Sequence, residues 1–176
     1  MYTDATQGTL DWPLAIFESL KKAKVRQIVY VPDAGHAQLI EMAHNDPSIT
    51  TTVLTTEEEG IAIAAGAWLG GERAALLMQS SGVGNCINMF SLLASCRFPF
   101  LTLVTMRGEW SEFNPWQIPM GQAVPQACEM MGLQTLRVDD PVDAAKSIDA
   151  AATLAFESDR SVAVLLSQKM LGRKKW

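Results

Sequence analysis

The sequence predicts an α/β domain of three layers, with a six-stranded parallel sheet between helices on both faces. Two observations carry that expectation. Short runs of β-branched and aliphatic residues recur along the whole chain, and the stretches between them have helical spacing. Apolar strands joined by helical crossovers are buried on both faces, which calls for a mostly parallel sheet covered twice. The 176 residues, 48% hydrophobic and 19% charged, are also enough for one domain that buries roughly 70% of its unfolded surface. No composition shift, repeat or low-complexity segment divides residues 1–176, so a single domain is expected.

Taken in order, a helix opens at Thr9 or Asp11, and the first strand covers Ile28 to Val31. That strand ends in Val31-Pro32-Asp33-Ala34-Gly35-His36, and a helix runs from His36 to His44. The second strand, Thr51 to Leu54, leads through Thr55 and Thr56 into a helix from Glu57 to Leu69. The third, Ala74 to Met78, leads into the small-residue turn Gln79-Ser80-Ser81-Gly82-Val83-Gly84-Asn85 and a helix from Asn85 to Ser95. Phe100 to Val104 is the fourth strand. An irregular piece from Arg107 to Pro119 follows, then a helix from Gly121 to Met131. Thr135 to Val138, a helix from Val142 to Phe156, and Val162 to Leu166 complete the set. In such a sheet, ligands bind beyond the C-terminal ends of the strands.

Composition excludes several function classes. Fourteen Lys and Arg against nineteen Asp and Glu leave a net charge of -5, which repels a phosphate backbone, so no nucleic-acid partner is expected. The basic end, Lys169 with Arg173, Lys174 and Lys175, reads as a solvated tail. Cys86, Cys96 and Cys128 form no C-x-x-C pair, which suits a reducing compartment and argues against zinc. Met1 to Gly8 lacks a charged start followed by an apolar core, and no apolar run reaches the roughly 18 residues of a membrane helix. No membrane association and a cytoplasmic location are expected. There is no G-x-S-x-G elbow and no H-E-x-x-H.

Four places at strand ends invite chemistry, each beside a plainer reading. Glu57, Glu58 and Glu59 stand at a helix start, where Thr56 and Glu59 have capping-box spacing and any carboxylate is favoured by the helix dipole. Glu57 differs because it sits where strand hands over to helix, at the sheet edge. The Gln79 to Asn85 turn lets backbone approach a ligand closely. It is neither a dinucleotide fingerprint, since Ile87 occupies the third glycine position, nor a phosphate loop, and a tight turn capped by Ser80 or Ser81 explains it as well. His36 is placed to contact a substrate or to be a solvent-exposed helix-start histidine. The loop from Arg107 to Pro119, with Trp110, Phe113 and Trp116, either covers a site or partner surface or packs back on its own domain.

Glu57 with Ala64-Ala65-Gly66, then Met78-Gln79-Ser80-Ser81-Gly82-Val83-Gly84-Asn85, then Arg107-Gly108-Glu109, resemble the pyrimidine-binding domain of thiamine-diphosphate-dependent decarboxylases. Within that superfamily the chain is similar to phosphonopyruvate decarboxylases and to sulfopyruvate decarboxylase alpha subunits, over nearly its whole length. The resemblance implies the thiamine-diphosphate-binding fold and a glutamate that hydrogen-bonds N1′ of the cofactor's aminopyrimidine, nine residues before the glycine of a small-residue helix. Counting back from Gly66 selects Glu57 and leaves Glu58 and Glu59 to the helix. A carboxylate at N1′ favours the 4′-imino tautomer, which takes the thiazolium C2 proton so that the carbon can attack a 2-oxo acid. The cofactor-binding set implied is Glu57, Gln79, Ser80, Ser81, Gly82, Gly84 and Asn85, with Glu57 catalytic and with His36 and Arg107 toward the substrate.

The resemblance further implies that magnesium and the diphosphate are held by a second domain carrying Gly-Asp-Gly and a later Asn-Asn. No Gly-Asp-Gly occurs here. A separate beta subunit is therefore expected to bring that domain, in a hetero-oligomer with the cofactor at the interface. Phosphonate or sulfonate substrates call for several cations, and Arg107 and His36 are what this half offers. A 2-oxo acid with an aromatic or aliphatic side chain stays open. So do a carboligase sharing the early steps and a non-catalytic regulatory module of the same fold.

Overall fold

The structure is a computed structural model that describes residues 11–172. Thr9, the Met1 to Gly8 stretch and the basic end Arg173 to Lys175 lie outside the described residues. Six strands, β1 (Val25–Tyr30), β2 (Thr50–Val53), β3 (Arg73–Gln79), β4 (Phe100–Thr105), β5 (Gln134–Val138) and β6 (Ser161–Leu166), form one sheet in the order β2-β1-β3-β4-β6-β5. Every pairing is parallel, with Tyr30 opposite Val53 and Leu77, and Leu77 opposite Leu103. The expected fold class is the one found.

The helices are α1 (Trp12–Lys22), α2 (Ala37–Asn45), α3 (Glu57–Leu69), α4 (Ser80–Cys86), α5 (Phe90–Cys96), α6 (Ile118–Met130), α7 (Ala144–Ser158) and α8 (Gln168–Leu171). Strand side chains alternate between two cores, because successive residues of a strand point to opposite faces. Ala75, Leu77, Leu101, Leu103, Val162 and Val164 pack with Ile16, Phe17 and Leu20 of α1, Leu39 of α2 and Ile148 of α7. Leu76, Met78, Val104 and Leu165 pack on the other face with Ile61 of α3, Val83 of α4, Phe90 of α5 and Val124 of α6. All six residues of β4 are buried, as a central parallel strand requires. The α1 start is fixed by Asp11, whose Oδ1 accepts from Leu14 N at 3.2 Å, so the expected opening at Asp11 is found.

Three local expectations are corrected. The single helix from Asn85 to Ser95 is two, α4 and α5, separated by Ile87 to Met89, and α4 begins at Ser80, so the glycine-containing turn is itself helical. Thr56 is the N-cap of α3 but makes no side-chain cap bond; Glu59 Oε2 instead accepts from Thr55 N at 3.0 Å, and the Thr56 hydroxyl donates to Glu58. His36 is not exposed: it ends a 3-10 turn, Ala34–His36, and is 1% exposed. The small residues ahead of it permit this, since a Cβ at Gly35 would press on Thr105 and Asp33.

Among the described residues, no helix is long and apolar enough to cross a membrane.

Candidate active site

The strand order reverses between β1 and β3, because β2 lies on one side of β1 and β3 on the other. A crevice beyond the strand ends at such a reversal is where open α/β sheets bind ligands. Glu57 follows β2, Asp33 follows β1 and the Gln79 to Asn85 segment follows β3, so all three meet there.

Glu57 is the first residue of α3 and is 8% exposed. Its Oε2 accepts from Asn85 Nδ2 at 2.8 Å, and no donor to Oε1 is found among the described residues. Gly82 lies directly against the carboxylate, where a Cβ would overlap the Glu57 carboxyl group. This is a close approach that only glycine allows. Gly84, two residues on, is exposed, and a Cβ there would stand 3.0 Å from Met120 Sδ at the start of α6. The sequence-based expectation that Glu57 meets the Gly82 to Asn85 turn is what the structure shows.

Gln79, Ser80 and Ser81 do different work from the capping considered for the serines. Gln79 Nε2 donates to Asp33 Oδ1 at 3.1 Å, and Ser81 Oγ donates to Gln79 Oε1 at 3.0 Å. Asp33 Oδ2 also accepts from Thr105 Oγ1 at 2.6 Å, so one carboxylate ties together the ends of β1, β3 and β4. Ser80 is fully buried, and its Oγ accepts from Arg107 N at 3.1 Å, which fixes the exit of β4 to the start of α4. Asp33 and Thr105 were absent from the sequence-based set. The signal for Asp33 was its position, directly after a strand and Pro32.

His36 and Arg107 both turn inward. His36 Nε2 is 3.1 Å from Leu103 O, inside the molecule, and its buried Nδ1 has no hydrogen-bond partner among the described residues. Burial pushes its pKa below the usual imidazole value. Arg107 is 8% exposed, and its Nε and Nη2 donate to the two carboxylate oxygens of Glu112 at 2.7 and 2.6 Å. Glu112 also accepts from Gly108 N, Asn114 N and Gln168 Nε2. The Arg107 hydrogen bonds hold the Glu112 carboxyl down at about 2. Gln168 Oε1 accepts from Glu109 N and Trp110 N, while Glu109 pairs with Arg137. The loop after β4 is therefore stapled to the domain from several sides. Trp116 at its far end is 84% exposed. Nothing in the sequence pattern pointed to Glu112 or Gln168, because Gln168 reaches the loop from another strand end.

No family model matches the chain. The chain is 35% identical over 153 residues to the sulfopyruvate decarboxylase alpha subunit of Methanocaldococcus jannaschii, covering 86% of this chain and 90% of that protein. It is 34% identical over 157 residues to a sulfopyruvate decarboxylase of Methanosarcina acetivorans, covering 88% of this chain but 40% of that longer protein. A phosphonopyruvate decarboxylase of Streptomyces viridochromogenes is 32% identical over 121 residues, 68% of this chain and 30% of that one. Among solved structures, a 2-oxoglutarate:ferredoxin oxidoreductase from Magnetococcus marinus superposes with a TM-score of 0.75 at 16% identity, over 92% of this chain and 29% of that chain. That likeness shows the fold alone. Identity at this level across nine-tenths of an alpha subunit places the chain in the sulfopyruvate decarboxylase alpha-subunit family of thiamine-diphosphate-dependent decarboxylases.

Proposed function

We propose that this chain is the pyrimidine-binding half of a two-chain thiamine-diphosphate-dependent 2-oxo acid decarboxylase. The observation that carries the proposal is Glu57, an almost buried carboxylate at the sheet's reversal point with one oxygen bonded to Asn85 and the other without a donor among the described residues. A carboxylate so placed suits a ring nitrogen that must be hydrogen-bonded and protonated in turn. Gly82 lets the start of α4 close directly on the Glu57 carboxylate, which holds that group at the reversal point. The residues present thus fit the aminopyrimidine end of the cofactor. When bound, thiamine diphosphate supplies the nucleophilic carbon and accepts the electrons released with carbon dioxide.

This chain's own part is positioning and proton handling. Asn85 orients Glu57 by bonding Oε2, so that Oε1 would be the oxygen available to N1′ of the bound cofactor. Glu57 would then hold a proton at that nitrogen or release it. Asp33, through Gln79 and Ser81, and Ser80, through Arg107 N, fix the first turn of α4, so that Gly82 stays against the carboxylate. The diphosphate and magnesium are assigned to a partner chain carrying Gly-Asp-Gly and a later Asn-Asn, as the resemblance implies. The alpha-subunit naming of the relatives, and the greater length of the Methanosarcina protein, support a partner contribution.

The test is reconstitution. Alone, the purified chain is expected to bind thiamine diphosphate weakly or not at all in calorimetry, because most of the cofactor's charge lies on groups it does not hold. With the partner chain and magnesium, carbon dioxide release from 2-oxo acids should appear. Tight, magnesium-dependent binding by the isolated chain would overturn the two-chain reading. Product analysis with an added aldehyde separates decarboxylation from ligation.

A further inference from the structure

The two helical layers that cover the sheet are finished differently on their outer sides. One layer, α1, α2 and α7, exposes Glu18, Lys22, Glu41 and Lys146, as helices that face water do. The other, α3 to α6, sends Ile61, Val83, Phe90 and Val124 into the core, but its outer side is nearly free of charge. In α3 the charges stop at Glu59, α4 and α5 have none, and the single one in α6 is Glu129 in its last turn. What is exposed includes Ala62, Gly66 and Leu69 of α3, the last by 76%, and Trp116 just before α6.

Gly66 is the sharpest sign. It is exposed inside α3, where glycine is disfavoured against alanine, and outside the helix's own backbone no atom lies within 4 Å of where its Cβ would stand. Nothing among the described residues asks for a glycine there. Backbone that comes close from outside the domain does. Single exposed apolar residues need no explanation, but a layer of helices without charge on its outer side does. It has the composition of the centre of a protein interface, from which charged residues are depleted.

Two observations point to the body that covers this face. Glu57 is the first residue of α3 and Asn85 lies in α4, so the face runs on directly from the proposed cofactor site, and a chain that closes the cofactor over Glu57 lies against it. The matched segment is also only 40% of the Methanosarcina acetivorans sulfopyruvate decarboxylase, so in that protein a larger body accompanies this fold. We propose that the outer face of α3 to α5, with Gly66 as the point of closest approach, is the docking surface for the partner chain that brings the diphosphate end of the cofactor. The partner's identity rests on the decarboxylase reading, whereas the docking itself is measured without catalysis.

The experiment measures, by calorimetry without substrate, the affinity of this chain for a partner chain carrying Gly-Asp-Gly and a later Asn-Asn, and by sedimentation the size of each chain and of the mixture. Gly66→Arg should weaken the complex by at least about thirtyfold, the loss expected when the centre of an interface is blocked. Because the position is open and glycine is a poor helix former, the denaturant midpoint of the isolated chain should not fall. Ala62→Arg, exposed one turn earlier on the same helix, should act in the same way even where Gly66→Arg does not fold. Ala150→Arg, the same kind of change on the exposed side of α7, should leave the affinity within about twofold. Parent-like affinity of either folded variant, or no complex between the parent chains, overturns the docking surface. So does a parent chain that pairs with itself and loses that pairing in Gly66→Arg while still binding its partner, since a second copy is then the occupant. A complex that forms through this face but releases no carbon dioxide from 2-oxo acids with thiamine diphosphate and magnesium overturns the decarboxylase reading and leaves the docking surface standing.

Discussion

Two regions of the same sheet edge were built by different means. Beyond β2 and β3, Glu57 at the start of α3 meets Gly82 and Asn85 of the short helix α4, so their identity and spacing are local properties of the chain. Beyond β4 and β6, Arg107, Glu112, Glu109 and Gln168 form an equally dense polar network out of an irregular loop and the end of another strand. The first is the proposed site, with one acceptor, Glu57 Oε1, for which no donor is found among the described residues. The second is internally satisfied and faces its own domain. On the proposed function, the difference separates groups arranged to meet a ligand from groups arranged to hold a loop.

The sharpest way to test that contrast is to remove Glu112. Glu112→Ala removes from the nearly buried Arg107 the carboxylate to which it donates two short bonds, and breaking a buried pair from one side typically destabilises by about 3–5 kcal/mol. The denaturant midpoint should fall accordingly, and amide protection should be lost first across residues 107–117. A loss of less than about 1 kcal/mol, the range of a surface ion pair, would mean that the loop is not held this way.

Next in size is the counterpart on the other side. Glu57→Gln keeps shape and hydrogen bonding but removes the carboxylate, and hydrogen-deuterium exchange at C2 of the cofactor in the assembled enzyme should slow by at least about 10²-fold. That is a barrier change of about 2.7 kcal/mol, with little effect on folding. Gly82→Ala attacks the same site sterically. Its methyl group overlaps the Glu57 carboxyl, so catalysis should fall while stability drops by about 1–3 kcal/mol, the range for overpacking. If Gly82→Ala is as active and as stable as the parent, the approach of α4 to Glu57 is not as tight as the structure has it.

These two regions also differ in how legible they were. The parallel sheet and the meeting of Glu57 with the Gly82 turn followed from strand runs, small residues and counting, because periodicity and glycine positions are local signals. Glu112 carries no such signal: its partners come from its own loop and from Gln168, and long-range side-chain bonds leave no periodic trace. His36 was misjudged as exposed for a related reason. Its burial depends on the 3-10 turn through Ala34 and Gly35 folding back toward β4, a tertiary event that a helix-start pattern does not reveal. The split between α4 and α5 was hidden because Gly82, Gly84 and Asn85 are poor helix formers that packing nevertheless makes helical.

Acid should separate the regions in a third way. His36 has a folded pKa lowered from 6.5, so the unfolded chain takes up its proton first. The stability tied to neutral His36 is complete above about pH 6.5 and is lost as pH falls below it. Glu112 has a folded pKa lowered from 4.5 to about 2, so the contribution of its pair persists to about pH 4.5 and is lost between there and about pH 2. Denaturant midpoints measured across that range should therefore decline in two stages. In Glu112→Gln the lower stage should flatten while the upper one remains. A lower stage of undiminished size in that variant would assign it to other carboxylates.

The smallest expected effect marks the boundary of the proposed catalytic region. Glu59 lies two residues from Glu57 on the same helical turn, but it is exposed and its Oε2 accepts from Thr55 N at 3.0 Å. In Glu59→Gln the amide oxygen can accept the same bond, so what is lost is the interaction of one negative charge with the start of α3, worth about 0.3–1 kcal/mol. Stability should fall by no more than that, and less at high salt, since an exposed charge is screened. The C2 exchange rate of the assembled enzyme should stay within about twofold of the parent, because no bond links Glu59 to Asn85 or to the Gly82 surface. Measured beside Glu57→Gln, this variant tests the count back from Gly66 on which the assignment was first made. If Glu59→Gln slows exchange by about 10²-fold while Glu57→Gln does not, the catalytic carboxylate lies on the outer side of the helix start, and the bond between Glu57 and Asn85 belongs with the loop network as an internal tie.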